Sequence, residues 1–352
     1  MERKEWQQSP LTSRENVHTV IFETSEEASR LIAQEIADLV RSKASKSQKA
    51  VLGLATGSSP LGVYKELIRL HTQEGLSFQN VITFNLDEYY PMNPTSLQSY
   101  VRFMHANLFD ELDILPENIH IPDGTINRDD IPAFCQEYER MIDEAGGLDL
   151  MLVGIGRTGH IGFNEPGSSP NSVTRLVTLD HVTRVDAASD FFGQENVPRK
   201  AITMGIQTIV KAKRCILMAW GENKASIVQR AIEGPVGDHV PATYLQRHAN
   251  TSYFLEASAC TELSRVKSPW LFVPVEWDEA TTRKAVIWLS MKLEKAILKL
   301  TDRDYMENGM ADLILDYDSA YNINIRVFKE LSRAITGWPG VRTQREPVGV
   351  DI

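Results

Sequence analysis

Ala50-Val-Leu-Gly-Leu-Ala-Thr-Gly-Ser-Ser-Pro-Leu61 is the stretch that decides the fold. Residues 50–54 are apolar or small and carry no charge. The run stops at Thr56-Gly57-Ser58-Ser59-Pro60, and residues 61–70 then read as a helix. A short uncharged run of this kind is a strand buried on both faces, and strands alternating with helices build a parallel sheet. The alternation extends both ways. Residues 17–22 read as a strand, followed by a helix over 25–42 that opens at Ser25-Glu26-Glu27 and carries Leu31, Ile32, Ile36 and Leu39 near helical spacing. Residues 81–86 form another run, ending at Asp87-Glu88. Helices are expected over 97–109 and 131–143, a strand over 148–155, and two further strands at 202–204 and 215–220, each followed by helical sequence. This pattern is an α/β fold with an open, mostly parallel sheet.

The end of the chain differs in kind. A strand is expected over 270–275, then a long helix from Asp278 to Leu300 and a second over 320–335. The second is stopped by Thr336-Gly337-Trp338-Pro339-Gly340, where glycine and proline both break helices. The expected organisation is a main domain over 1–277, a helical extension over 278–340 and a frayed tail over 341–352.

Composition narrows the function. Of 352 residues, 42% are hydrophobic and 24% charged, which excludes disorder for the bulk of the chain. With 37 Lys+Arg against 47 Asp+Glu the net charge is -10, so nucleic acid is not an expected partner. A small anion needs a locally basic pocket. The cysteines, Cys135, Cys215 and Cys260, are scattered without a C-x-x-C pair, which points to a reducing compartment. No apolar segment is long enough to cross a bilayer, and residues 1–14 are polar and mixed in charge. A cytoplasmic protein with no membrane partner is the expectation.

Ligands of open parallel sheets bind beyond the carboxyl ends of the strands, and three loops at such ends carry unusual chemistry. In the first, Gly57 permits a tight turn, Ser58 and Ser59 can cap the helix, and Pro60 suits its first turn. Free N–H groups there would bind an anion; from this loop alone an ordinary serine-capped turn accounts for the residues equally well. In the second, Thr83-Phe-Asn-Leu-Asp-Glu-Tyr-Tyr90, Asp87 and Glu88 follow a buried strand. A carboxylate so placed can be a general base, although a lone Asp-Glu pair more often caps a turn, and no ligand cluster supports a metal. In the third, Gly154-Ile-Gly-Arg-Thr-Gly-His-Ile-Gly-Phe-Asn-Glu-Pro166, four glycines surround His160, and the five-residue offset to Glu165 lets a carboxylate orient the ring. The spacing is neither a dinucleotide fingerprint nor a P-loop.

In this order and spacing the three loops resemble those of glucosamine-6-phosphate deaminases, over roughly 17–265. Phe163-Asn-Glu-Pro166 separates these from the related 6-phosphogluconolactonases, which share the glycine–histidine core. The resemblance implies a Rossmann-like sheet with helices on both faces and a reaction without metal or nucleotide cofactor. Glucosamine 6-phosphate would be opened, isomerised between C1 and C2, and hydrolysed to fructose 6-phosphate and ammonia. On that pattern Asp87 moves the C2 proton, His160 opens the ring and Glu165 pairs with it. Thr56, Gly57, Ser58 and Ser59 form the phosphate loop, and Lys224 in Trp220-Gly-Glu-Asn-Lys224 is the phosphate-binding lysine. A homo-oligomer is expected.

The sequence departs from the family pattern at several positions. Thr158 stands where the family carries an aspartate two residues before the histidine. Asp190 precedes Phe191-Phe192 in place of an arginine, with Arg184 and Arg199 as nearby substitutes. Arg175 matches an arginine of the family's allosteric N-acetylglucosamine 6-phosphate site, but Val177 replaces a lysine, so that regulation is not expected. Some longer relatives resemble the helical extension and continue into a deacetylase-like domain, which these 352 residues do not include. The alternatives are a deaminase or isomerase of a different hexosamine derivative, and a sugar-phosphate sensor with little catalysis.

Overall fold

The computed structural model describes residues 9–336. By packing these divide into two units, Arg14–Leu263 and, together with residues 9–13, the chain from Ser264 onward. The second unit therefore begins before the expected 278, because the turns from Ser264 pack with the helices that follow.

The first unit holds a seven-stranded sheet of β1 (His18–Phe22), β2 (Ala50–Leu54), β3 (Val81–Asn85), β5 (Ile119–His120), β6 (Leu150–Gly154), β9 (Cys215–Ala219) and β10 (Thr251–Glu256). Its order is β1-β10-β9-β6-β2-β3-β5, and every pairing is parallel. Alternate residues along each strand serve opposite faces. Ala50, Leu52, Leu54, Leu150, Leu152, Ile216, Met218 and Phe254 belong to the layer beneath α1 (Ser25–Ala44), α2 (Leu61–Glu74) and α3 (Tyr100–Asn107). Val51, Met151, Val153, Leu217 and Leu255 are buried as well, which is why the strands read as unbroken apolar runs. In α1 the side chain of Thr24 caps the start by accepting from the Glu27 amide, and the buried stripe is Ala28, Ile32, Ala33, Ile36, Ala37 and Val40. Leu31 lies outside it, 50% exposed.

The residues at 202–204 belong to a different sheet. Three antiparallel strands, β4 (Asp87–Tyr90), β7 (Arg175–Thr178) and β8 (Lys200–Thr203), are ordered β4-β8-β7. Sequence pattern misses β4 and β7 because their charged and polar residues break any apolar run. The chain changes sheet at Leu86: its amide donates to Leu54 O (2.9 Å) in the main sheet, and its carbonyl accepts from the Met204 amide (2.8 Å) beside β8. Further helices are α4 (Ile131–Glu144), α5 (His181–Asp186), α6 (Ile206–Val210) and α7 (Ala225–Glu233).

The second unit is helical: α8 (Ser264–Lys267), α9 (Glu279–Leu293), α10 (Asp302–Met306), α11 (Ala311–Tyr317) and α12 (Ala320–Thr336). The strand expected at 270–275 is absent. Pro269–Leu271 is a turn of 3-10 helix, and Trp270 packs with Ala285, Leu289 and Tyr305. Pro269 and Pro274 also deprive the segment of ladder donors. The long helix ends at Leu293, not Leu300, because Glu294 adopts a left-handed conformation (φ 52°). The breaker at 337–340 and the expected fray from 341 lie outside the described residues.

Candidate active site

The order of the main sheet reverses between β2 and β6, and open parallel sheets bind ligands at such a crevice. A cleft of about 250 Å³ lies there, at the carboxyl ends of the strands. The loops after β2, β3, β6 and β9 all reach it, bringing together Thr56–Ser59, Asp87, His160 and Lys224.

The loop after β2 is not the capped turn that its serines suggest. The residue before α2 is Pro60, and no side chain caps the helix. Among the described residues the amides of Gly57, Ser58 and Ser59 have no backbone acceptor, and Gly57 turns the chain at φ +88°. The loop therefore presents free donors at the start of a helix, a setting that attracts anions. The indole of Trp220 fixes it by donating to Ser59 O (2.8 Å). Lys224, in a single 3-10 turn after β9, donates its ammonium to Ile155 O at 2.9 Å. Burial lowers its pKa, with Asp186 and Arg157 acting in opposite senses.

Strand geometry separates Asp87 from Glu88, since successive side chains point to opposite faces. Glu88 turns away and accepts from the Ser99 hydroxyl (2.8 Å) and the amides of Tyr100 (2.8 Å) and Val101 (3.2 Å), holding the start of α3. Asp87 lines the cleft. Burial, reinforced by the charge of Glu88, pushes its pKa up to about 8. The loop after β6 closes over it: an added Cβ on Gly162 would stand 3.4 Å from Asp87 Oδ2.

His160 Nδ1 lies 3.2 Å from Glu165 Oε2 and 2.9 Å from Thr158 Oγ1. The Thr158 hydroxyl donates to Glu165 Oε2 (3.2 Å), and Thr183 on α5 donates to Oε1 (2.6 Å). Burial raises the Glu165 carboxyl, but the histidine, Thr183 and the Asp180 amide outweigh it and hold it below the ordinary value. Thr158 is thus a neutral bridge between ring and carboxylate. Thr158→Asp should therefore change the site's preference among hexosamine phosphates; an unchanged preference would mean that the bridge does not bear on the substrate.

Arg175 and Arg184 do not join this constellation. Arg175 donates to Asn164 Oδ1 (2.9 Å) and Ser168 Oγ (3.3 Å) and borders a separate cavity beside α4. Arg184 turns to Gln194 O (3.2 Å), because on α5 it is Thr183 and Asp186 that face the cleft. Thr183 and Asp186 escape sequence reasoning, since nothing in their local pattern marks them. Among the described residues no group of His, Cys, Asp and Glu is arranged to hold a metal, and no helix is long and apolar enough to cross a membrane.

Free amides, one ammonium, a buried carboxyl and an imidazole–carboxylate pair in a single cleft define a protein equipped for acid–base chemistry on a small anionic molecule. The chain belongs to the glucosamine-6-phosphate isomerase/6-phosphogluconolactonase family, whose sequence model matches residues 23–254. It is 47% identical over 335 residues to a glucosamine-6-phosphate deaminase-like protein of Bacteroides thetaiotaomicron, covering 95% of this chain and 50% of that one. The chain thus spans half the length of that relative. Glucosamine-6-phosphate deaminase 1 of Bacillus subtilis is 44% identical, over 68% of this chain and 96% of its own. The structure of a monomeric glucosamine-6-phosphate deaminase superposes with a TM-score of 0.66 at 42% identity, over 70% of this chain and 99% of that one. A 6-phosphogluconolactonase from Trypanosoma brucei shares the fold at 19% identity (TM-score 0.56).

Proposed function

We propose that the protein is a deaminase and aldose–ketose isomerase of glucosamine 6-phosphate, yielding fructose 6-phosphate and ammonia. The observation that carries the reading is the meeting of Asp87 with the His160–Glu165 pair in a cleft that also holds free amides and Lys224. The phosphate rests on the Thr56–Ser59 loop and Lys224. His160, oriented by Glu165 and Thr158, passes the proton between ring oxygen and O1 hydroxyl as the sugar opens. Asp87 takes the proton from C2, acidified by the adjacent carbonyl, and returns it to C1. Water adds at C2, the C–N bond breaks and ammonia leaves. Burial and the charge of Glu88 push the Asp87 pKa up to about 8, toward the protonated form at neutral pH. The positive charge of the substrate's amine favours its ionised form, so binding generates the base.

Ammonia release from glucosamine 6-phosphate, galactosamine 6-phosphate and glucosamine tests the reading. The first should be preferred. Release from galactosamine 6-phosphate in preference would establish a re-specialised hexosamine enzyme, the reading that Thr158 and Asp190 favour; release from none would leave a sensor. Lys224→Ala should raise KM for the phosphorylated sugar by roughly tenfold or more, the loss of a charged hydrogen bond. Equal loss on glucosamine would make Lys224 structural. We place the enzyme in the cytoplasm and expect a homo-oligomer, to be checked by light scattering; the similar deaminase of known structure is described as monomeric.

A further inference from the structure

The cleft has one charge that the proposed chemistry does not use. Asp186, at the end of α5, faces the same space as Lys224 and the free amides of the Thr56–Ser59 loop. A carboxylate there opposes entry of a dianionic phosphate. It is held from outside the cleft by Arg157, whose Nε donates to Asp186 Oδ2 at 2.9 Å while its terminal nitrogen engages Oδ1. The pair is 48% and 37% exposed, so it forms and breaks at little cost. Arg157 and Asp186 both lie within electrostatic reach of the Lys224 ammonium. Arg157 itself lines the adjoining groove with Thr158 and Asn223, two residues before Gly159 and next to the His160 loop.

Lys224 is the sole cation among the residues lining the cleft, and it is partly committed to Ile155 O. A phosphate dianion calls for more. Of the arginines near it, Arg184 is turned toward Gln194 O, whereas Arg157 presents a planar fork already engaged with a carboxylate. A guanidinium that accepts a bidentate carboxylate accepts a phosphate with the same geometry.

We propose that Arg157 is a specificity residue for the phosphate group: Asp186 holds its guanidinium at the rim of the cleft, and the substrate phosphate takes the place of Asp186 when it binds. The inference rests on the reading of this cleft as a sugar-phosphate site. The ion pair between Arg157 and Asp186 offsets the repulsion of Asp186. In the complex Arg157 joins Lys224 and the loop amides around the phosphate, and Asp186 swings toward solvent. An unphosphorylated sugar has nothing to displace Asp186, so it gains nothing from Arg157.

The test compares Arg157→Ala, Arg157→Lys, Asp186→Asn and Lys224→Ala. Two readouts are needed: the ratio of kcat/KM for glucosamine 6-phosphate to that for glucosamine, and inhibition by inorganic phosphate. Thermal melting checks the fold, which substitutions at these half-exposed positions should leave intact. Arg157→Ala should lower the ratio by roughly tenfold to a hundredfold, with a parallel rise in the inhibition constant for phosphate. Arg157→Lys, which keeps the charge and loses the fork, should fall between. Asp186→Asn removes the competitor and should tighten phosphate inhibition by about threefold or more. If Lys224→Ala lowers the ratio and Arg157→Ala does not, this proposal falls and the phosphate site stands. If the wild type itself shows no preference for the phosphorylated sugar, the phosphate reading falls and this proposal with it. If Asp186→Asn weakens phosphate as much as Arg157→Ala does, the two act as a fixed unit and the exchange is overturned.

Discussion

Asp87→Asn should lower turnover by roughly 10²-fold or more and, at the same time, stabilise the protein at alkaline pH. The substitution preserves shape and hydrogen-bonding capacity but leaves no base, so exchange of solvent deuterium into the sugar should vanish with activity. The stability change follows from burial. The Asp87 carboxyl is 6% exposed and its pKa is raised from 3.8 to about 8. A raised folded-state pKa means that the full stability is present below the ordinary value near 3.8 and is lost as pH rises through about 8. Each pH unit over that window removes up to about 1.36 kcal/mol. Water entering the cleft reduces the sum, so the variant should gain on the order of 2–4 kcal/mol over the wild type at pH 9, and the two should converge near pH 4. Melting temperatures across that range decide the point. Equal pH dependence in the two proteins would mean that Asp87 is solvated and not a tuned base. The pH–rate profile adds a second check. kcat/KM should rise with pH up to about 8, and Glu88→Gln, by removing the neighbouring charge, should move that rise to lower pH.

His160→Gln and Gly156→Ala should share one phenotype, a loss of roughly 10²-fold or more on the cyclic sugar. Gly156 has no room for a side chain, because a Cβ there would overlap the imidazole of His160. Its amide also donates to His160 O (3.0 Å), so the loop is folded back on itself around the ring. A methyl group must therefore displace the ring from Glu165 and Thr158, although it removes none of the groups that hold the ring. Single-turnover measurements on a pre-opened analogue separate the roles. If ring opening is the task of His160, both variants should recover most of their rate on that analogue. Equal damage on both substrates would assign the histidine to binding. Recovery in His160→Gln but not in Gly156→Ala would show that the glycine supports more of the cleft than the ring alone.

The three loops legible in the sequence are continuous segments at strand ends. Asp87, His160 and Glu165 sit within a few residues of a buried strand or of one another, so local spacing carries most of their geometry. Sequence alone does not separate Glu88 from Asp87. Only the pairing of β4 with β8 sends one carboxyl into the cleft and the other to the start of α3. Ser58 and Ser59 have the residue type of helix caps, yet the helix starts one residue later and their loop keeps its donors free. Trp270 has the hydrophobicity of a strand residue, but neighbouring prolines and the helical core claim it instead.

By itself the sequence determined the alternation of strand and helix, the parallel sheet and the three loops at its carboxyl ends, because those depend on apolar periodicity and on chain breaks a few residues long. Tertiary structure decided which charges meet. A short helix brings Thr183 to His160 and Asp186 to Lys224, pairs far apart in sequence, Arg184 on that same helix is turned aside, and Arg157 is joined to Asp186 across the rim. Those contacts depend on the antiparallel second sheet, which carries α5 over the cleft. Pairing between strands distant in sequence leaves no periodic trace within either strand, and so it had to be seen in the folded chain.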